Sequence, residues 1–100
     1  MTPDNAVDEV HKRLQDTNIR IAYGAEVIKL DLAEVLTEAY KQYDASLLHI
    51  RYLLAEWLEV KESYITRLER GEANPNIETI GKIFGAMGLR IKFLIEPLDR

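Results

Sequence analysis

The chain of 100 residues has no cysteine. That excludes a disulfide framework, a thiolate metal site and a cysteine nucleophile, and it fits a reducing compartment. Long apolar runs are missing too. Nothing approaches the ~20 residues that a membrane span requires, and the opening stretch MTPDNAVDEV is acidic, without the apolar segment of a signal peptide. The expectation is a soluble, cytoplasmic protein with no membrane partner. An excess of positive charge is absent as well: the net charge is −4, so binding to nucleic acid by bulk charge is not indicated. His11 and His49 lie far apart, with no second ligand at metal spacing. Neither a metal nor a cofactor is expected. There is no supported Ser/His/Asp arrangement, no phosphate-cradling glycine loop and no recognisable pair of carboxylates. The sequence therefore reads as a non-enzyme with no catalytic residues.

The 47% hydrophobic content suffices for one core and hardly for a second. Charge is unevenly spread. Over residues 1–46 the acids Asp4, Asp8, Glu9, Asp16, Glu26, Asp31, Glu34, Glu38 and Asp44 outnumber Lys12, Arg13, Arg20, Lys29 and Lys41. The remainder is balanced, so the whole deficit belongs to this first part. The expected organisation is an acidic helical arm with the first core helix over 1–46 and a neutral core over 47–100, the arm meeting a basic partner.

Local patterns predict mostly helix. Asp4 or Asn5 can cap a first helix carrying Val7, Val10 and Leu14, and Asp16-Thr17-Asn18 then interrupts it. Ala25, Ile28, Leu32, Val35, Leu36, Ala39 and Tyr43 recur at helical steps in a longer stretch, where Gly24 marks a possible break. A turn at Asp44-Ala45-Ser46, with Ser46 as N-cap, leads into LLHIRYLLAEWL. Glu59-Val60-Lys61 forms a short link to a helix over Glu62 to Glu69, with Ile65 and Leu68 inward and Ser63, Thr66, Arg67 and Arg70 outward. Gly71 supplies a left-handed stop, Asn76 caps the following helix, and that helix ends at Gly88. Gly81, Gly85 and Gly88 read as close helix packing plus a C-cap. The tail alternates, Leu89, Ile91, Phe93 and Ile95 on one side against Arg90, Lys92 and Glu96, which predicts a strand ended by Pro97. A lone strand must pair, and a second copy is the favoured mate.

The segments LLAEWL, EVK and ESYITRLER have the lengths of two short helices joined by a tight turn. Ala55 suits their close crossing. Leu58, Val60, Ile65 and Leu68 fix their angle, and Trp57 reads as partial core. Ser63, Tyr64, Thr66 and Arg67 are left facing outward, where Arg67 can read guanine for ~1–3 kcal/mol of discrimination. Arg70 and Asn74 suit phosphate positioning. Tyr64 reads equally as a ring packed on the core edge or a backbone contact. Glu69 reads as structural, capturing a basic group from another helix.

The run LAEWLEVKESYITRLERGEANPNIETIGKIFGAMG resembles the helix-turn-helix domain of XRE (Cro/CI-like) regulators, and within them antitoxins of the HigA type. A weaker likeness upstream, in Leu14-Gln-Asp16, Tyr23 and Leu32 to Ala39, is similar to the arm by which such antitoxins contact a RelE-like toxin. The resemblance implies a mostly α, lambda-repressor-like bundle with an N-terminal helical arm and a C-terminal strand paired across a homodimer through Leu89, Ile91, Phe93 and Ile95. It implies binding to double-stranded operator DNA and neutralisation of a small basic RelE/HigB-like toxin. Val7, Asp8, Glu9, Val10, Leu14, Ile19 and Tyr23 would contact the toxin. Arg51, Lys61, Glu62, Ser63, Tyr64, Thr66, Arg67, Arg70 and Asn74 would contact DNA. The chain departs from the family in four places. Lys61-Glu62 replaces Ser-Gln at the start of the recognition helix. Ile50-Arg51 replaces Thr-Gln, so that Arg51 stands for a phosphate-binding Gln. About one extra helical turn lies between Ala39 and Leu54. Tyr40 occupies the place of the arginine that usually partners Glu69. Two alternatives accompany this reading: a free-standing repressor without a toxin, and an interaction module with a degenerate helix-turn-helix.

Overall fold

The computed structural model describes residues 3–43 and 46–98, and their side chains except those of residues 3–8, 14, 47 and 48. Its first element, α1 (Pro3–Gln42), is one helix of 40 residues. Proline is tolerated at the first helical turn, where its missing N–H would have had no partner. Asp4 and Asn5, expected as caps, therefore lie inside the helix. Nor do Asp16-Thr17-Asn18 interrupt it. The Thr17 hydroxyl donates to the Arg13 carbonyl at 2.8 Å, and Arg20 Nη2 donates to Thr17 Oγ1 at 3.2 Å. These polar groups are satisfied within the helix instead of competing with it. Gly24 does not break it either. Its cost of ~1 kcal/mol against alanine is absorbed by regular turns on both sides.

Ser46 caps α2 (Leu47–Leu58), accepting from the His49 N–H at 3.2 Å. The rest of the expected turn, Asp44-Ala45, lies outside the described residues. Helix α2 ends at Glu59, which adopts φ 57°. There the Glu59 N–H donates to Glu56 and the Val60 N–H to Ala55, a Schellman closure that normally takes glycine. Glu59 to Lys61 then link to α3 (Glu62–Glu69), as the sequence predicts. Gly71, with φ 73°, closes α3 in the same way: Glu72 N–H donates to Arg67 and Gly71 N–H to Leu68. Asn76 Oδ1 accepts from Thr79 N–H at 2.8 Å and starts α4 (Ile77–Ala86). Gly88, again at φ 73°, stops it.

The core is assembled from all four helices. Leu32, Leu36, Ala39 and Tyr40 of α1 pack with Ile50, Leu54 and Ala55 of α2, Ile65 and Leu68 of α3, and Ile83 and Phe84 of α4. Ala73, in the turn between α3 and α4, is also buried. Only the last part of α1 joins this core, so the molecule extends 65 × 24 × 20 Å.

Three further expectations are corrected. The tail Leu89–Pro97 forms no strand, and no strand occurs among the described residues. A ladder needs a second extended backbone, and no described segment supplies one. Leu89 and Ile91 instead pack against the chain's own core, while Phe93 and Ile95 are exposed. Gly81 and Gly85 do not mark close packing, because a Cβ at either would meet open space. Trp57 stands outside the core, 47% exposed.

Candidate nucleic-acid interface

Burial of Ile65 and Leu68 fixes the rotation of α3 about its axis. Residues one and two places away from these anchors must then point elsewhere. Ser63, Arg67 and Arg70 are exposed, together with Lys61 and Glu62 at the start of the helix and Asn74 in the turn beyond it. Tyr64 and Thr66 are half-buried. The Thr66 hydroxyl donates to the Glu62 carbonyl at 3.2 Å, so its free edge is its oxygen lone pair and methyl. Arg67 holds its guanidinium 5.5 Å from the centre of the Tyr64 ring. This cation–π contact restrains a long side chain before any ligand arrives. Tyr64 thus packs its ring on the core edge, one of the two readings its sequence position allowed, and in addition orients Arg67.

The charge along α3 is ordered. Glu62 lies in the first turn and Arg67 in the last, each at the helix end whose dipole favours it. Lys61 occupies the N-cap position without a side-chain cap hydrogen bond.

Glu69 is where the helices are tied together. Its carboxylate accepts from Tyr40 Oη of α1 at 2.8 Å and from Arg51 Nε of α2 at 2.7 and 2.9 Å. Arg51 Nη2 lies 2.6 Å from Glu69 Oε1. Burial, then the bond to Glu69, raise the Tyr40 phenol well above its ordinary range. The hydrogen bond to Glu69 likewise raises Arg51. Glu69 thus plays the structural part read from sequence, and the mate left unnamed there is Arg51, with Tyr40 as a second donor. Arg51 was expected to face DNA, yet its guanidinium is engaged with Glu69. One signal could have revealed this. Arg51 sits on the inward stripe of α2, among Ile50, Leu54 and Ala55, and a cation there requires an acid.

The residues expected to meet a protein partner lie elsewhere. Glu9, Val10, Ile19 and Tyr23 are exposed along the first half of α1. The side chains of Val7, Asp8 and Leu14 fall outside the described residues. Among the described residues, no cluster of His, Cys, Asp and Glu forms a metal site. No described helix is long and apolar enough to cross a membrane.

This geometry, two short helices joined by a tight link and packed on a shared core with the second one's polar face outward, is that of a helix-turn-helix unit. The helix-turn-helix family model matches residues 51–94. Searches of curated proteins and of solved structures return no match.

Proposed function

We propose that the chain is a sequence-specific DNA-binding regulator that places α3 in the major groove. The observation that carries this reading is the Tyr40–Glu69–Arg51 cluster. It clamps α3 to α1 and α2 while Ser63, Arg67 and Arg70 stay exposed on the outer side. A helix held rigidly from behind and polar in front suits direct readout of base edges. Arg67 would read a base, Lys61, Arg70 and Asn74 would position phosphates, and Glu62 would accept from cytosine N4. Arg51 acts behind the helix. The active species would be a homodimer on a pseudo-palindromic site, with the exposed tail residues Phe93 and Ile95 in the contact.

The finer reading is an antitoxin of the HigA type, whose arm covers a small basic RelE/HigB-like toxin. Its support is the resemblance of the sequence together with the open apolar groups on α1. Val10, Ile19 and Tyr23 are 56%, 61% and 54% exposed, more apolar surface than a solvated helix needs.

The test is a fluorescence anisotropy titration with DNA from upstream of the chain's own gene and with scrambled DNA, at two salt concentrations. Selective binding that weakens with salt is expected, because phosphate contacts release counterions. Equal, weak binding to both DNAs would sink the regulator reading. Exchange of Glu9 for lysine should leave operator affinity unchanged and weaken binding to a toxin encoded beside the gene. Unchanged toxin affinity would remove Glu9 from that interface.

A further inference from the structure

In sequence, Val7, Leu14, Ile21, Ile28 and Val35 recur at steps of seven along α1. An undistorted helix drifts about 20° per heptad from such a seam. A strict heptad stripe is therefore suited to another helix rather than to a flat surface. Ile21, Ile28 and Val35 are open to solvent, at 66%, 58% and 40% exposure. Near the middle of the stripe stand Gly24 and Ala25. Glycine weakens a helix interior, and a Cβ on Gly24 would meet nothing in this chain. Its smallness leaves room for a closely approaching backbone.

The far half of the same stripe forms one wall of a groove of about 540 Å³. Ile28, Leu32 and Val35 line one side, and Ile91, Phe93 and Leu94 of the tail line the other. The groove's polar lining is Asp31, Glu34 and Glu96 against Lys92, so it is predominantly acidic. The near half of α1 has the complementary charge on the matching edge. Arg13 and Arg20 each precede a stripe residue by one position, while Asp31 and Glu38 each follow one by three. Those offsets fall on the same flank of a helix. Basic groups thus flank the stripe in its first half and acidic groups in its second. Glu38 already shares an exposed pair with Lys41, which makes Asp31 the stronger acceptor.

We infer that this groove receives the first half of α1 from a second copy of the chain, the two α1 helices running antiparallel about a two-fold axis near Gly24 and Ala25. Ile21 then opposes Ile28 of the other copy, and Arg20 reaches Asp31. The contact is self-complementary, as a two-fold interface requires, and it lays an amphipathic helix in an apolar groove. It covers Phe93 and Leu94 without strand pairing. On the opposite side of the arm, Ile19 and Tyr23 stay exposed beside Leu98 of the tail. This inference rests on the homodimer put forward above and specifies how the copies are seated.

The absence of native cysteine makes disulfide trapping clean. Residues 21 and 28 of one helix are about 10 Å apart along its axis, too far to bridge within a chain. The full-length double variant Ile21→Cys/Ile28→Cys should form a covalent dimer under mild oxidation, while each single variant should not. Arg20→Glu should raise the dimer dissociation constant at least tenfold by light scattering, and adding Asp31→Arg should restore it. Cross-linking of each single variant to itself would overturn the antiparallel seating in favour of parallel arms. A dimer by light scattering without any cross-link would overturn this seating and leave the homodimer standing. A monomer that still binds operator selectively would overturn both the seating and the homodimer, with the DNA-binding reading intact.

Discussion

Arg51, near the start of α2, meets Glu69, the last residue of α3, with Nε 2.7 Å and 2.9 Å from the two carboxylate oxygens and Nη2 2.6 Å from Oε1. The pair is largely screened from water, Glu69 at 10% and Arg51 at 25% side-chain exposure. It fixes the angle between the two helices of the unit. Its energetic weight lies in what removal of one partner would leave behind.

Arg51→Ala strands the Glu69 carboxylate with Tyr40 as its remaining donor. A loss of about 2 kcal/mol is expected for a charge left partly buried, or roughly 8–16 °C in melting temperature for a domain of this size. Arg51→Lys should recover only part of it, because an ammonium cannot reproduce the two-point contact. Thermal melts followed by circular dichroism check both. A melting temperature unchanged in the alanine variant would show the pair to be incidental.

Tyr40 makes stability sensitive to alkali. Its phenol is raised in the folded state above the ordinary tyrosine value of about 10, first by burial and then by the bond to Glu69. The folded protein therefore holds this proton more tightly than the unfolded chain does. That contribution is complete below pH 10 and declines as pH rises from there toward the folded value. Urea unfolding at pH 8 and at pH 11 should show the decline, and Tyr40→Phe should make it shallower.

Glu59 holds a left-handed conformation, φ 57°, which costs a residue with a Cβ roughly 1–2 kcal/mol. Glu59→Gly removes that strain but gives the unfolded chain more freedom, so a net gain of about 0.5–1 kcal/mol is expected. A chemical denaturation midpoint shifted to lower denaturant would contradict it.

Gly71 and Gly88 share φ 73° but differ in surroundings. A Cβ at Gly71 would lie 3.1 Å from Leu30 Cδ2 and 3.3 Å from the Lys29 carbonyl oxygen, whereas at Gly88 it would meet open space. Alanine at Gly88 should cost the conformational penalty of about 1 kcal/mol. At Gly71 it should cost more, since a backbone atom of α1 has to give way. Paired melts of the two variants rank them directly.

Arg67→Ala should leave the fold almost untouched, because the side chain is exposed and its partner is the Tyr64 ring. Operator affinity should fall by about 1–3 kcal/mol, and discrimination at one base position should relax. Loss of affinity for operator and scrambled DNA alike would reassign Arg67 to phosphate.

Residues 46–88 were largely legible because each boundary has a local chemical cause. Ser46, Asn76, Gly71 and Gly88 act through backbone groups within a few positions of themselves. What the sequence concealed depends on distance or on partners. The Arg51–Glu69–Tyr40 cluster joins three helices. The continuity of α1 through Asp16 and Gly24 depends on Thr17 finding Arg13 and on regular turns to either side, while turn-forming residues taken one by one suggest breaks. The alternation of Leu89 to Ile95 fits a strand, yet Leu89 and Ile91 find burial on the chain's own helices instead. On the arm, helical spacing revealed an apolar stripe but not which of its residues the core would cover: Leu32 and Ala39 are buried, Ile28 and Val35 are not.

The unbroken α1 makes the arm a lever rather than a tether. Ile19 lies 21 positions before Tyr40, about 30 Å along a helix, with no hinge between them. A molecule gripping Ile19 or Tyr23 is therefore held at a set distance and bearing from α3. A flexible linker would let two attached bodies find their own arrangement. A rigid shaft dictates it, so the size and shape of whatever binds the arm bear directly on how closely neighbouring copies can crowd along a strand of DNA.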